Sequence, residues 1–116
     1  MTKLFAIALT AVLLAAATAA DAHAQLDHSV PAVGSTVAAS PGKVMLYFTE
    51  RLEPKFSGGE VRKASGARVD QGKSVSGNVM SLSVGSLSPG TYGVTWHVLS
   101  VDTHKTQGSF SFSVGK

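Results

Sequence analysis

Between Val44 and Val114 four segments carry apolar residues with a period of two. Val44, Leu46 and Phe48 alternate with Met45, Tyr47 and Thr49, and Met80, Leu82 and Val84 alternate with serines. Tyr92, Val94, Trp96 and Val98 carry the same period over a longer stretch, and Phe110, Phe112 and Val114 repeat it at the end. A period of two sorts side chains onto the two faces of an extended chain, whereas a helix would scatter these residues around its axis. The first segment is apolar at both sets of positions, which reads as a strand buried between layers; the serine-bearing segment has one wet face. Turn residues separate the segments: Pro41-Gly42, Ser57-Gly58-Gly59, Ser65-Gly66, Gln71-Gly72, Ser76-Gly77-Asn78 and Ser88-Pro89-Gly90. Short strands with turn signals at near-regular spacing predict an all-β domain of about seven strands, a two-sheet sandwich or Greek-key barrel. Trp96, in the middle of the longest segment, is the expected core anchor.

The amino-terminal stretch stands outside this pattern. Met1-Thr2-Lys3 carries one positive charge and precedes an uncharged run of apolar and small residues from Leu4 to Ala20. The run ends at Ala20-Asp21-Ala22, a small-x-small triplet of the kind signal peptidase cuts. A membrane anchor is the alternative, but spanning a bilayer takes about 20 strongly apolar residues, and this run is shorter and rich in alanine. The expected organisation is therefore a signal peptide over 1–22 and one exported domain over 23–116. Ala22-His23-Ala24 is a second acceptable triplet. Cleavage after Ala22 leaves His23 as the first residue, and cleavage after Ala24 starts the protein at Gln25.

The chain has no cysteine. An exported domain of this size must then rely on its apolar core rather than a disulfide. Thiolate nucleophiles, cysteine-ligated zinc and His2Cys copper sites are excluded as well. The net charge of +3 is mild and the Lys and Arg residues are scattered, so the footprint of a nucleic-acid binder is missing. There is no G-x-S-x-G elbow and no glycine-rich phosphate loop leading into a helix.

Two features remain that can carry chemistry. His23, as a first residue, offers a free amine and its own imidazole, which together close a chelate ring on a metal. Their ordinary pKa values of about 8 and 6.5 let both lose protons near neutrality. Two nitrogens from one residue suit the tetragonal geometry of Cu(II), the divalent ion that such sites bind most tightly. The alternative is a frayed end that happens to begin with histidine. The second feature is Asp102-Thr103-His104, directly after the long strand. Residues i and i+2 project to one side of an extended or turning chain, so carboxylate and imidazole can reach one ion while Thr103 points away. Alone, this triplet is as easily a polar loop. Together the two features supply an amine, two imidazoles and a carboxylate, enough for a four-coordinate plane.

Near the start His23-Ala24-Gln25-Leu26 is followed by Ser29, Pro31 and Gly34, then come Leu46-Tyr47-Phe48-Thr49-Glu50-Arg51-Leu52 and Phe56-Ser57-Gly58. The chain closes on Gly90 to Trp96, Ser100-Val101-Asp102-Thr103-His104 and Gly108 to Phe112. In this order the segments resemble the CopC/PcoC family of periplasmic copper-binding proteins. The first resembles the start of the mature family chains, the second the family's first long strand with the F-S-G after it. The last three resemble its closing block, G-x-Y-x-V-x-W … S-x-D-x-H … G-x-[FY]-x-F.

The resemblance implies a cupredoxin-like or immunoglobulin-like Greek-key β-sandwich in the periplasm, monomeric, holding one Cu(II). It implies a histidine brace at His23 with Asp102 and His104 as further ligands. Glu50 takes the family's acidic position, either orienting the amine or an imidazole or standing as a solvated strand-end charge. It further implies a carrier or buffer that hands copper to a CopD-like inner-membrane transporter. Some relatives have a methionine-rich Cu(I) loop; here Met45 and Met80 lie in apolar strands and read as core fillers. His97 reads as a surface histidine, and His28 could approach the metal as an extra ligand. Copper held by an amine and two imidazoles also occurs in polysaccharide-attacking oxygenases. Those need an open equatorial position, which Asp102 would fill, so no enzyme is expected. An immunoglobulin-like module with an incidental D-x-H triplet would leave both ends of the pattern unexplained.

Overall fold

The computed structural model describes residues 24–115; the signal-peptide expectation for 1–22 and the proposed ligand His23 lie outside them. Among the described residues eight strands occur in the order β1 Leu26–Val30, β2 Thr36–Val37, β3 Gly42–Phe48, β4 Gly58–Lys63, β5 Gly72–Ser76, β6 Val79–Gly85, β7 Gly90–Leu99 and β8 Lys105–Val114, with a 3-10 turn at Pro54–Phe56. They form two four-stranded sheets, ordered β1-β3-β6-β5 and β2-β8-β7-β4. Only the β5–β6 and β7–β8 connections stay within a sheet, and every other connection crosses to the opposite layer. The β2–β8 pair is parallel and all other pairs are antiparallel. This is the all-β Greek-key sandwich that the alternation predicted, with one strand more than expected because β2 is only two residues long.

The alternating residues explain the layers. Val44, Leu46 and Phe48 of β3, Met80, Leu82 and Val84 of β6, Tyr92, Val94 and Val98 of β7, and Phe112 and Val114 of β8 form one buried cluster. Burying such side chains is worth about 1.5–3 kcal/mol each, and it must suffice, since no disulfide is present. Two details differ from expectation. β3 is not buried on both sides: Met45 and Tyr47 are half-buried on the outer face, where His28 stacks on Tyr47 at 4.3 Å and 5°. Met45 is therefore no core filler, whereas Met80 is completely buried. Trp96 packs against the cluster but is only partly buried. It meets Phe48 edge-on, with centroids 5.1 Å apart, and lies over Gly108, its neighbour across the β7–β8 ladder. Tyr92 closes a corner, its hydroxyl donating to the Ser88 carbonyl at 2.6 Å.

One end of the sandwich gathers four segments. Gln25 and Thr49 exchange backbone and side-chain bonds, the Thr49 amide reaching the Gln25 carbonyl and the Gln25 amide reaching Thr49 Oγ1, each at 2.9 Å. The tight Gly77-Asn78 turn of the β5–β6 hairpin accepts from the amides of Phe48 and Leu52. Leu52 bridges to Ser100, and the Glu53 amide donates to the Leu99 carbonyl at 2.8 Å. Ser57, buried, receives the Leu99 amide on its hydroxyl at 3.1 Å.

A Cβ at Gly108 would sit 2.5 Å from the Trp96 ring, so Gly108→Ala should destabilise by about 1–3 kcal/mol, the usual cost of forcing a packed side chain aside. Trp96 is the sole tryptophan, so its fluorescence should change too. Gly93→Ala, with open space at its Cβ, is the control for thermal unfolding and should shift it little.

Candidate metal-binding site

The β7–β8 ladder runs through ten residue pairs, from Gly90 opposite Val114 to Leu99 opposite Lys105. The five residues Ser100 to His104 reverse the chain at its end. The Ser100 amide donates to the His104 carbonyl at 3.0 Å, and the Thr103 amide donates to the Ser100 carbonyl at 2.9 Å. Thr103 adopts φ 73°, a left-handed conformation that a β-branched residue takes only when the surroundings impose it. That reversal, rather than a plain extended run, brings Asp102 and His104 to one side. Asp102 Oδ1 and His104 Nδ1 are 3.4 Å apart, with the side chains 47% and 43% exposed, although the Nδ1 atom itself is buried.

Ser100 lies beneath the pair, completely buried. Its hydroxyl donates to Asp102 Oδ1 and accepts the His104 amide at 3.3 Å. The hydroxyl and, after it, His104 hold the Asp102 carboxyl below the usual carboxylate range, against the opposing effect of desolvation. Asp102 is therefore an anion across the neutral range, as a metal ligand must be.

The start of the described chain is fastened next to this loop. Ala24 is completely buried, and its carbonyl accepts from Thr106 Oγ1 at 2.7 Å, two residues past His104. Glu50 lies on the segment between Thr49, which binds Gln25, and Arg51, whose carbonyl accepts the Val101 amide at 3.0 Å. That places its backbone at the same end, but its exposed carboxylate forms no ion pair among the described residues.

The other histidines are elsewhere. His28 stacks on Tyr47 on the outer face of the first sheet and pairs its Nδ1 with Asp27 at 2.7 Å. His97 is exposed on the outer face of the second sheet, its ring over Gly58, as the strand pattern predicted. Among the described residues no three metal-ligating side chains converge; Asp102 and His104 form a pair. A cleft of about 720 Å³ opens nearby, lined by Gln25, Phe56, Trp96, Val98 and Thr106 among others, but neither Asp102 nor His104 lines it. The pair sits on an open loop, which suits a small ion rather than an organic substrate enclosed in a pocket. Sequence reasoning assigned no role to Ser100, Thr49 or Thr106, whose hydroxyls tie these segments together. Ser100 was visible only as the first letter of S-x-D-x-H.

Comparison with known proteins agrees with this architecture. The family model described as CopC domain matches residues 26–115. Protein YobA of Escherichia coli is 42% identical over 98 residues, covering 80% of this chain and 79% of that protein. Copper resistance protein C of Xanthomonas campestris pv. juglandis is 40% identical over 121 residues, covering 93% and 94%. The crystal structure of PcoC, a methionine-rich copper resistance protein from Escherichia coli, superposes with a TM-score of 0.70 at 36% identity, covering 80% of this chain and 99% of that one. With a family match over nearly the whole described chain and relatives of this identity and coverage, the protein belongs to the CopC family.

Proposed function

We propose that this protein binds one Cu(II) ion and acts as an exported carrier or buffer in copper homeostasis and resistance. The observation that carries the reading is the convergence of Asp102 and His104 beside the buried, hydrogen-bonded Ala24. His23 is joined to Ala24 directly, and adjacent Cα atoms lie about 3.8 Å apart across a trans peptide. With residues 1–22 removed, the amine and imidazole of His23 would add two nitrogens to the His104 imidazole and the Asp102 carboxylate. Three neutral nitrogens and one anionic oxygen suit Cu(II) better than harder or softer ions. Glu50 would steady the amine or an imidazole from its strand end. Relatives of this chain are named as copper resistance proteins, which supports copper as the ion.

The half-exposed pair favours loading and release over catalysis. A carboxylate that fills the fourth position leaves no place for a substrate, so the protein is read as a non-enzymatic monomer of the periplasm. It would pass its ion to a CopD-like inner-membrane transporter. Met80 is sealed in the core and Met45 sits apart on an outer strand face, so no methionine cluster offers a second, Cu(I) site among the described residues.

Titration of the mature protein against a competing chelator should give one Cu(II) per chain with a tetragonal, mainly nitrogen-ligated paramagnetic resonance spectrum. His104→Ala should weaken binding by at least about 100-fold, more than loss of a supporting group usually costs. Asp102→Ala should alter the spectrum, and His97→Ala should change neither affinity nor spectrum. Equal damage from His97→Ala and His104→Ala would refute the ligand assignment.

Acid should release the ion. Copper must displace protons from the amine, ordinarily near 8, and from imidazoles, ordinarily near 6.5, so affinity should begin to fall below about pH 8 and fall more steeply below about pH 6.5. Asp102, whose carboxyl is held low by Ser100 and His104, stays ionised through that window. The loss therefore belongs to the nitrogens, and a titration series between about pH 8 and pH 5 reads it directly.

A further inference from the structure

We propose that Ser100 is a positioning residue that presents Asp102 and His104 to the metal as a pre-set pair. The proposal rests on the reading of those two residues as copper ligands. Ser100 is completely buried at the end of β7, where a hydroxyl needs partners, and both of its partners belong to the ligand loop. A serine hydroxyl has one hydrogen to give. Its two acceptors in reach are Asp102 Oδ1 and, at 3.3 Å, the His104 carbonyl. The carbonyl is already served by the Ser100 amide at 3.0 Å, and a bond to a charged carboxylate is the stronger of the two. The hydrogen therefore goes to Asp102, and the lone pairs receive the His104 amide at 3.3 Å.

One side chain thus fixes the carboxylate of one ligand and the backbone of the other, across the left-handed turn at Thr103. Oδ1 is engaged by Ser100 and faces His104, while Oδ2 takes part in neither contact. Ser100 is itself held from outside the loop, by its bridge to Leu52 and by the Arg51 carbonyl on the next amide, Val101. The loop is set before a metal arrives.

Ser100→Ala removes the hydroxyl while leaving the ladder intact, and the half-exposed Asp102 can take water in its place, so the fold should survive. Apo thermal unfolding checks this. Cu(II) affinity by chelator competition should drop by about 10–100-fold, the usual cost of losing a group that orients a ligand, with a shifted paramagnetic resonance spectrum. Ser100→Thr, which keeps a hydroxyl, should bind within a few-fold of the unmutated protein. In an Asp102→Ala background the same Ser100→Ala change should cost clearly less, because one of the two groups it positions is gone and only the His104 amide remains. An unchanged affinity and spectrum in Ser100→Ala, an equal loss in both backgrounds, or a Thr variant no better than Ala would overturn the positioning role. The unmutated protein and His104→Ala are titrated alongside. If the first takes up no Cu(II), or the second binds as tightly, the ligand reading itself fails. If both behave as expected and Ser100→Ala matches the unmutated protein, only the positioning role falls.

Discussion

The hydrogen-bonded ladder between β7 and β8 is the element on which the rest depends. Its paired residues extend the full length of both strands, and on the inner face Tyr92, Val94 and Val98 meet Phe112 and Val114 within the core. A ladder of that length leaves the loop at its end little freedom, because a slip of one residue would turn every core side chain outward. The loop from Ser100 to His104 is consequently delivered to a fixed place at the rim. The glycine at position 108 leaves the room that the Trp96 ring occupies, and the ring meets Phe48 of the opposite sheet edge-on.

The second constraint is the seam at that same rim. Ala24 is pinned to Thr106, Gln25 to Thr49, Arg51 to Val101 and Glu53 to Leu99. Each bond is modest, about 1 kcal/mol net, yet together they tie the first described residues to a loop some eighty positions away in sequence. Without a disulfide, this polar seam and the apolar core carry that task. The consequence is that the start of the described chain and the Asp102–His104 loop meet only in the folded domain. With the proposed ligands, metal binding would be coupled to tertiary structure, so that a bound ion would stabilise the fold and an unfolded chain would release it.

Much of this was legible in the sequence, for physical reasons. The four long strands announced themselves because burial on one face writes a period of two, and the Gly77-Asn78 turn because a two-residue hairpin demands such residues. β1, β2, β4 and β5 are edge strands or short, half-exposed segments, so selection for burial left a weaker imprint on them. Met45 was misjudged because an apolar residue on an outer face looks like a core residue until its neighbours are known. The D-x-H spacing raised Asp102 and His104 as a candidate pair but left them as easily a polar loop, and it did not foretell the left-handed Thr103 that brings them together. Ser100, Thr49 and Thr106 were silent because a hydroxyl's partner lies across the fold, and no local pattern encodes it. Glu50 was readable as an acidic position but not as a contact.

The most direct test of the account concerns the amine proposed to join Asp102 and His104. Native protein, its first residue fixed as His23 by intact mass, is compared with a form carrying one extra residue ahead of His23. The extension converts a metal-binding amine into an amide while leaving the core and the Ala24–Thr106 bond untouched, so both forms should unfold at the same temperature. The account predicts that the extended form loses Cu(II) affinity by orders of magnitude against a common chelator. Equal affinities would contradict it, and would leave side chains alone to explain any copper the protein holds.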